Sequence, residues 1–213
     1  MAHLRLSLLG SFQITLDGRP VLGFKSNKAR ALLAYLAVEA DRPHRREALA
    51  GLLWPDWPDR DALGNLRYTL SNLRQVICDP QAEPPFLLIS RDSLQFNLSS
   101  DHWVDVTAFA QMADVERSHP SAMEQLQKAI DLYQGSFLDG FSLADSPAFE
   151  EWTLYTRERL AREMSSALHF LAARCSVAKS PRRLKGLPSA LSPGAPADRA
   201  FIARTSCQLP WRG

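Results

Sequence analysis

The stretch "NLRYTLSNLRQVI", beginning at Asn65, carries side chains suited to recognition rather than to making or breaking bonds. No aspartate or glutamate occurs from Ala62 to Ile77, while Arg67, Tyr68, Ser71, Asn72, Arg74 and Gln75 supply donors and acceptors. Arginine meets phosphates or guanine, asparagine and glutamine can read adenine, and small residues permit close approach to a duplex. Asn65-Leu66-Arg67 recurs as Asn72-Leu73-Arg74, and seven residues are about two helical turns. On a helix Leu63, Leu66, Leu70, Leu73 and Ile77 form one apolar stripe. Gly64, Tyr68, Ser71, Asn72 and Gln75 then lie opposite it, with Arg67 and Arg74 along one border. The repeated leucines serve packing, whereas Arg74 and Asn72 point to DNA and Asn65 to capping or positioning. The alternative is an amphipathic helix whose polar face is merely solvated, although such faces usually mix both charge signs.

Further positive charge falls at expected helix starts. Lys28 and Arg30 open a first helix, Arg45 and Arg46 a second, and Arg60 precedes the third, while Arg91 sits in a hairpin turn. Free N–H groups at helix N-termini favour anions, so basic residues there suit phosphate clamping, with plain surface solubility as the alternative.

Catalytic and metal chemistry find little support. Asp56, Asp59 and Asp61 surround two prolines and read as helix-capping and loop residues. The histidines His3, His44, His102, His119 and His169 are scattered without ligand spacing. GxSxG, dinucleotide-glycine and GxxxxGK[ST] patterns are absent. Trp54, Trp57, Trp103 and Trp152 read as core and hinge packing. The expectation is a protein that is not an enzyme and needs no cofactor or metal.

Composition narrows the setting. The 213 residues are 46% hydrophobic and 23% charged, ordinary for a globular protein. Cys78, Cys175 and Cys207 form no CxxC pair, which suits a reducing cytosol, and no apolar run approaches membrane-span length. A cytoplasmic location without membrane attachment is expected. The net charge of +2 divides into +1 for residues 1–104, −5 for 105–175 and +6 for 176–213, so a DNA argument rests on local placement.

The elements that must position these residues follow from periodicity. "LRLSLLGSFQITLDGRPV" alternates apolar and polar residues, with a hairpin signal at Asp17-Gly18. "NKARALLAYLAVEA" is helical, with Ala29, Leu32, Leu33, Leu36 and Ala37 on one side. "DRPHRREALAGLLW" reads as a second helix after a Pro43 start signal, and Asp59 or Asp61 as N-cap of the third. "FLLISRDSLQFNL" reads as two strands about Arg91-Asp92-Ser93. This is the order of a winged helix-turn-helix domain over 1–104. Over 105–175 the spacing is helical without a convincing strand. Gly135 reads as a C-cap, and Trp152, Tyr155, Leu160, Met164, Leu168 and Leu171 as the stripe of a last helix. That pattern suits a tetratricopeptide-like all-α domain. The fold class is mainly α with a small antiparallel β component. Residues 176–213, with five prolines and no sustained period, read as a disordered or aberrant tail.

"KARALLAYLAVEADRPHRREALAGLLWPD" and "NLRYTLSNLRQVI" together resemble the DNA-binding half of the antibiotic-regulatory type of bacterial transcriptional activator. "FLDGFSLADSPAFEEWTLYTRERL" is similar to the bacterial transcriptional activator domain that follows it in that family. The resemblance spans about residues 3 to 174. It implies a response-regulator-type winged helix whose third helix enters the major groove. It further implies binding to promoter-proximal repeats of double-stranded DNA, recruitment of RNA polymerase and a homodimer on DNA. Matching the family's "I-x-x-LR" to "LSNLR" carries DNA-contact roles onto Tyr68, Thr69, Ser71, Asn72 and Arg74. Some relatives have more basic residues at the positions of Ser71 and Asn72, which weakens the phosphate grip expected here. No receiver domain precedes the winged helix, so control by aspartyl phosphorylation is not expected. Larger relatives continue into an ATPase module and more helical repeats, and a frame change near Ser176 would account for the abrupt loss of period. The competing class is a protein–protein scaffold whose helical region does the work without specific DNA binding. Translating the downstream DNA in its other frames tests the frame change: helical-repeat sequence there supports it, and its absence counts against it.

Overall fold

The computed structural model describes residues 2–178 apart from residue 117, with side chains as far as residue 174. The expected tail therefore lies outside the described residues, except for its first three backbone positions.

Alternation near the N-terminus turns Leu4, Leu6 and Leu8 inward. Strand β1 (Leu4–Ser7) pairs antiparallel with β2 (Gln13–Leu16), setting Leu6 opposite Ile14. Asp17 and Gly18 both take positive φ, 51° and 75°, as a tight hairpin turn demands, and lead into β3 (Arg19–Pro20).

Helix α1 (Asn27–Val38) is buried almost all round, because Ala31 and Ala34 join Ala29, Leu32, Leu33, Leu36 and Ala37 in the core. The one-sided stripe read from the sequence is too narrow. Pro43 does not start the next helix: His44–Arg45 form β4, and α2 (Arg46–Leu53) begins only after it. After a short connector, α3 (Asp59–Val76) starts on Pro58 as N-cap. Asp59 and Asp61 are not caps but lie inside the first turn, where negative charge complements the helix dipole. Strands β5 (Leu87–Ile89) and β6 (Ser93–Phe96) form the expected hairpin, and β4 joins β6 to complete a three-stranded antiparallel sheet. Strand β7 (His102–Val104) runs parallel to β1 on the edge opposite β2. Two or three residues are too few for a period, so neither β4 nor β7 is legible in the sequence.

Helices α4 (Asp105–Ala113), α5 (Ala122–Leu132) and α6 (Pro147–Ala178) pack on one another, and α6 also packs on α2. This is a winged helix-turn-helix followed by a helical layer. The expected stripe on α6 needs correction: Tyr155 and Leu168 are exposed, while Phe149, Thr153, Thr156, Leu160 and Ala167 are buried. Two threonines in that face hid it, since each returns its hydroxyl to the carbonyl four residues earlier and so can be buried. Gly135 is not a C-cap either. It lies against Gly10, where an added Cβ would stand 3.2 Å from the Gly10 Cα.

One hydrophobic core runs from Leu4 to Leu160. The joint between winged helix and helical layer is aromatic and hydrogen-bonded. Phe12 meets Phe141, Phe141 meets Phe149, and Trp152 packs on Phe149, Phe137 and Tyr35. The Trp152 indole donates to Glu39, and the Ser146 hydroxyl to the Leu53 carbonyl. Arg157 donates to the carbonyls of Phe137 and Leu138. The Asp105 carboxylate accepts the backbone N–H groups of Leu8, Leu9 and Val106 at 2.7–2.9 Å. Burial nevertheless holds its carboxyl above the ordinary aspartate range, with these N–H donors pulling it the other way.

Asp105→Ala leaves the Leu8 and Leu9 donors buried without an acceptor and should cost about 1–3 kcal/mol in urea unfolding, with Asp105→Asn costing less. A carboxyl raised in the fold contributes stability that is full below the unfolded value, about pH 4, and is lost as pH rises through the folded one. The stability advantage of wild type over Asp105→Asn should therefore shrink as pH is raised from below 4 (about the unfolded value) toward neutrality. An advantage that grows with pH would contradict this.

Candidate nucleic-acid interface

The face that α3 leaves to solvent follows from what it must bury. Leu66 and Leu73 are fully buried and Leu70 nearly so, each worth about 1.5–3 kcal/mol relative to exposure. The 3–4 spacing that turns this stripe inward turns Arg60, Arg67, Tyr68, Ser71 and Gln75 outward, and all five are exposed. Arg60, at the head of this row, lies between Asp59 and Asp61 and so faces mixed charge. From Ala62 onward the outer face carries no carboxylate.

Beside this face lies an open concavity of about 540 Å³ between α3, the turn after it and the wing hairpin. Arg46, Arg67 and Arg74 all line it, together with Ser71, Gln75 and Ile89. Three arginines from two helices thus line one groove. Arg67 makes no ion pair among the described residues. Arg74 is tied back: its Nε donates to Asp79 Oδ2 at 2.9 Å, and that carboxylate is fully buried and also accepts the Leu87 N–H. Arg74 keeps a 40% exposed side chain, so it is both a strut for the wing and part of the groove wall. Arg46 is likewise a strut. Its Nη2 donates to Ser90 O at 2.9 Å and its backbone N–H to Asp92 O, fixing the wing turn to the start of α2. Its Nε is buried without a partner among the described residues. Arg91, at the tip of that turn, and Arg45 are exposed, Arg45 resting 3.7 Å from Glu47.

Four expected contact residues stand elsewhere. Asn72 is not on the outward face; it is buried, with Oδ1 accepting the Lys25 N–H at 3.0 Å and Nδ2 reaching Gly23 O at 3.4 Å. Thr69 is buried beside it. Spacing alone sets Asn72 on the face opposite the apolar stripe, but the loop after β3 closes over that side of the helix. Lys28 donates to the Leu53 carbonyl and pairs with Asp145 Oδ2 at 2.8 Å, over the Trp54 ring. That hydrogen bond holds the Asp145 carboxyl below its ordinary range. Arg30 lies over the Phe12 and Phe141 rings and donates to Phe12 O, and burial lowers its pKa. Both α1 cations are therefore engaged within the chain, Lys28 by Leu53 and Asp145 and Arg30 by Phe12 and Phe141, rather than presenting an open charge.

Sequence reasoning missed Lys25. It is exposed in the loop before α1, with Nζ 3.1 Å from the Tyr68 hydroxyl and 5.0 Å from its ring centre. A lone lysine in a loop carries no periodic signal, and only the fold brings it to α3. Trp57 is also exposed, contrary to the packing role read for it. Among the described residues no cluster of side chains could hold a metal ion, and no helix is long and apolar enough to cross a membrane.

No family model matches the chain. The transcriptional regulatory protein EmbR of Mycobacterium tuberculosis is 36% identical over 86 residues, which is 40% of this chain and 22% of EmbR. EmbR of Mycobacterium bovis matches to the same extent. The regulatory protein AfsR of Streptomyces coelicolor is 28% identical over 178 residues, 78% of this chain and 17% of AfsR. The chain thus spans about a fifth of the length of the curated relatives it matches. In fold it is similar to Mycobacterium tuberculosis EmbR solved in complex with a low affinity phosphopeptide, at a TM-score of 0.62 and 23% identity over 84% of this chain and 48% of that one. Motifs and these likenesses point the same way: in sequence the chain is similar to the bacterial regulatory proteins EmbR and AfsR, and in fold to EmbR.

Proposed function

We propose that the chain is a sequence-specific DNA-binding transcriptional regulator that acts as an activator. Residues 1–104 hold the duplex, and residues 105–175 form the activator domain. The observation that carries this reading is the exposed face of α3 from Arg67 to Gln75, free of carboxylates and bordered by the groove of Arg46, Arg67 and Arg74. Helix α3 lies in the major groove, with Tyr68, Ser71 and Gln75 toward base edges and Arg67 toward phosphate. Arg91 on the wing tip and Arg45 and Arg60 at the helix starts are further phosphate contacts. Asn72 and Thr69 support the helix from beneath, and Lys28 and Arg30 hold the helical layer. Promoter-proximal repeats, a homodimer on DNA and recruitment of RNA polymerase complete the proposal, and rest on the family resemblance of the motifs alone.

Fluorescence anisotropy with duplex DNA from upstream of the neighbouring genes tests the reading. Log affinity should fall linearly with log salt, and Arg67→Ala should lower that slope by about 0.9 for one lost phosphate contact without changing thermal stability. Arg74→Ala should behave differently. It leaves the buried Asp79 carboxylate without its cation and should destabilise the fold by about 1–3 kcal/mol in denaturant titration, besides weakening binding. Binding insensitive to salt, or no binding, would favour a protein–protein scaffold instead.

A further inference from the structure

The polar border of α3 opposite Arg67 and Arg74 has its own built feature. Tyr68, on the exposed face, and Asn72, buried at that border, lie four residues apart, and both reach the loop between β3 and α1. The two bonds of Asn72 are complementary, its carbonyl oxygen taking the Lys25 N–H and its amide nitrogen facing the Gly23 carbonyl. An asparagine amide supplies both an acceptor and a donor in that arrangement, which an ionised aspartate of the same size cannot. Gly23 takes φ of +97°, a conformation that side chains rarely adopt, so the loop turns sharply where Asn72 holds it. The consequence is local: Lys25 is delivered to the Tyr68 ring and hydroxyl and remains exposed. Its ammonium makes no ion pair among the described residues, unlike Lys28 nearby, which is neutralised by Asp145. Lys25, Ser26, Asn65, Tyr68 and Trp57 line a second, smaller concavity on this side of α3.

We propose that Lys25 is a DNA-phosphate contact, held in place by Asn72, on the flank of α3 opposite the arginine groove. Cations then border the recognition helix on both sides, as expected for a helix set between the two backbones that wall a major groove. Asn72 is in this account a positioning residue, which acts through the loop it pins and not by touching a base. Tyr68 limits the reach of the lysine by taking its ammonium at hydroxyl and ring. This inference rests on the DNA-binding reading above.

The test uses the full chain and a fluorescein-labelled duplex from upstream of the neighbouring genes, titrated over a range of salt. Lys25→Ala should lower the slope of log affinity against log salt by about 0.9, and Lys25→Arg should restore it. Asn72→Ala should lower the slope by the same amount, and adding it to Lys25→Ala should lower it no further. Loss of stability alone would not move the slope, so a structural role is separated from positioning. Lys25 is exposed, so its variants decide the question even if Asn72→Ala fails to fold. An unchanged slope in Lys25→Ala beside a reduced one in Arg67→Ala overturns this inference and leaves the DNA reading standing. Absence of salt-dependent binding by the wild-type chain overturns both.

Discussion

Burial of Leu66, Leu70, Leu73 and Ile77 against α1 and α2 is the constraint on which the site depends. A helix has one angular setting that turns this stripe inward, and that setting fixes which side chains meet solvent. Helix α1 makes it firm, since a helix buried nearly all round cannot shift without opening voids on several sides at once. The face proposed to meet DNA is thus a by-product of core packing. Arg67 and Ser71 are exposed for the same reason that Leu66 and Leu70 are not.

The second support is the helical layer. The aromatic cluster of Phe12, Tyr35, Phe137, Phe141, Phe149 and Trp152 ties α6 to the winged helix, and Asp105 stitches the end of β1 to the start of α4. The close approach of Gly10 and Gly135 lets the chain around Phe137 run alongside the segment after β1, where Leu138 N–H donates to Leu8 O and Asp139 N–H to Gly10 O. These contacts give "FLDGF" and "FEEW" a physical reason. Phe137, Phe141, Phe149 and Trp152 are one half of an interface whose other half is Phe12, Tyr35 and Glu39. Lys28 and Arg30 belong to that interface as well, which is why their charge is spent inside the molecule.

Much of this was legible in the residues. The 3–4 spacing placed the α3 stripe, alternation placed β1 and β2, and Asp17-Gly18 marked its hairpin. The outward setting of Tyr68, Ser71 and Gln75, with Arg67 on their border, followed from the same spacing. What spacing cannot show is which neighbour covers a border. Asn72 is read as outward until the loop of Gly23 and Lys25 closes on it, and Lys25 joins the site only through that closure. Lys28 and Arg30 look like phosphate clamps until Asp145 and Phe141, more than a hundred residues away, reach them. Arg74 looks like a free contact because nothing local marks Asp79 as a buried carboxylate.

The central claim is that the outer face of α3 lies against bases. Photo-crosslinking from position 71, with p-benzoylphenylalanine in place of Ser71, tests it most directly on the bound duplex. The account predicts a crosslink to bases within the protected site and none from the same probe at the exposed Leu154 on α6. Binding that persists with no crosslink from position 71 would contradict it.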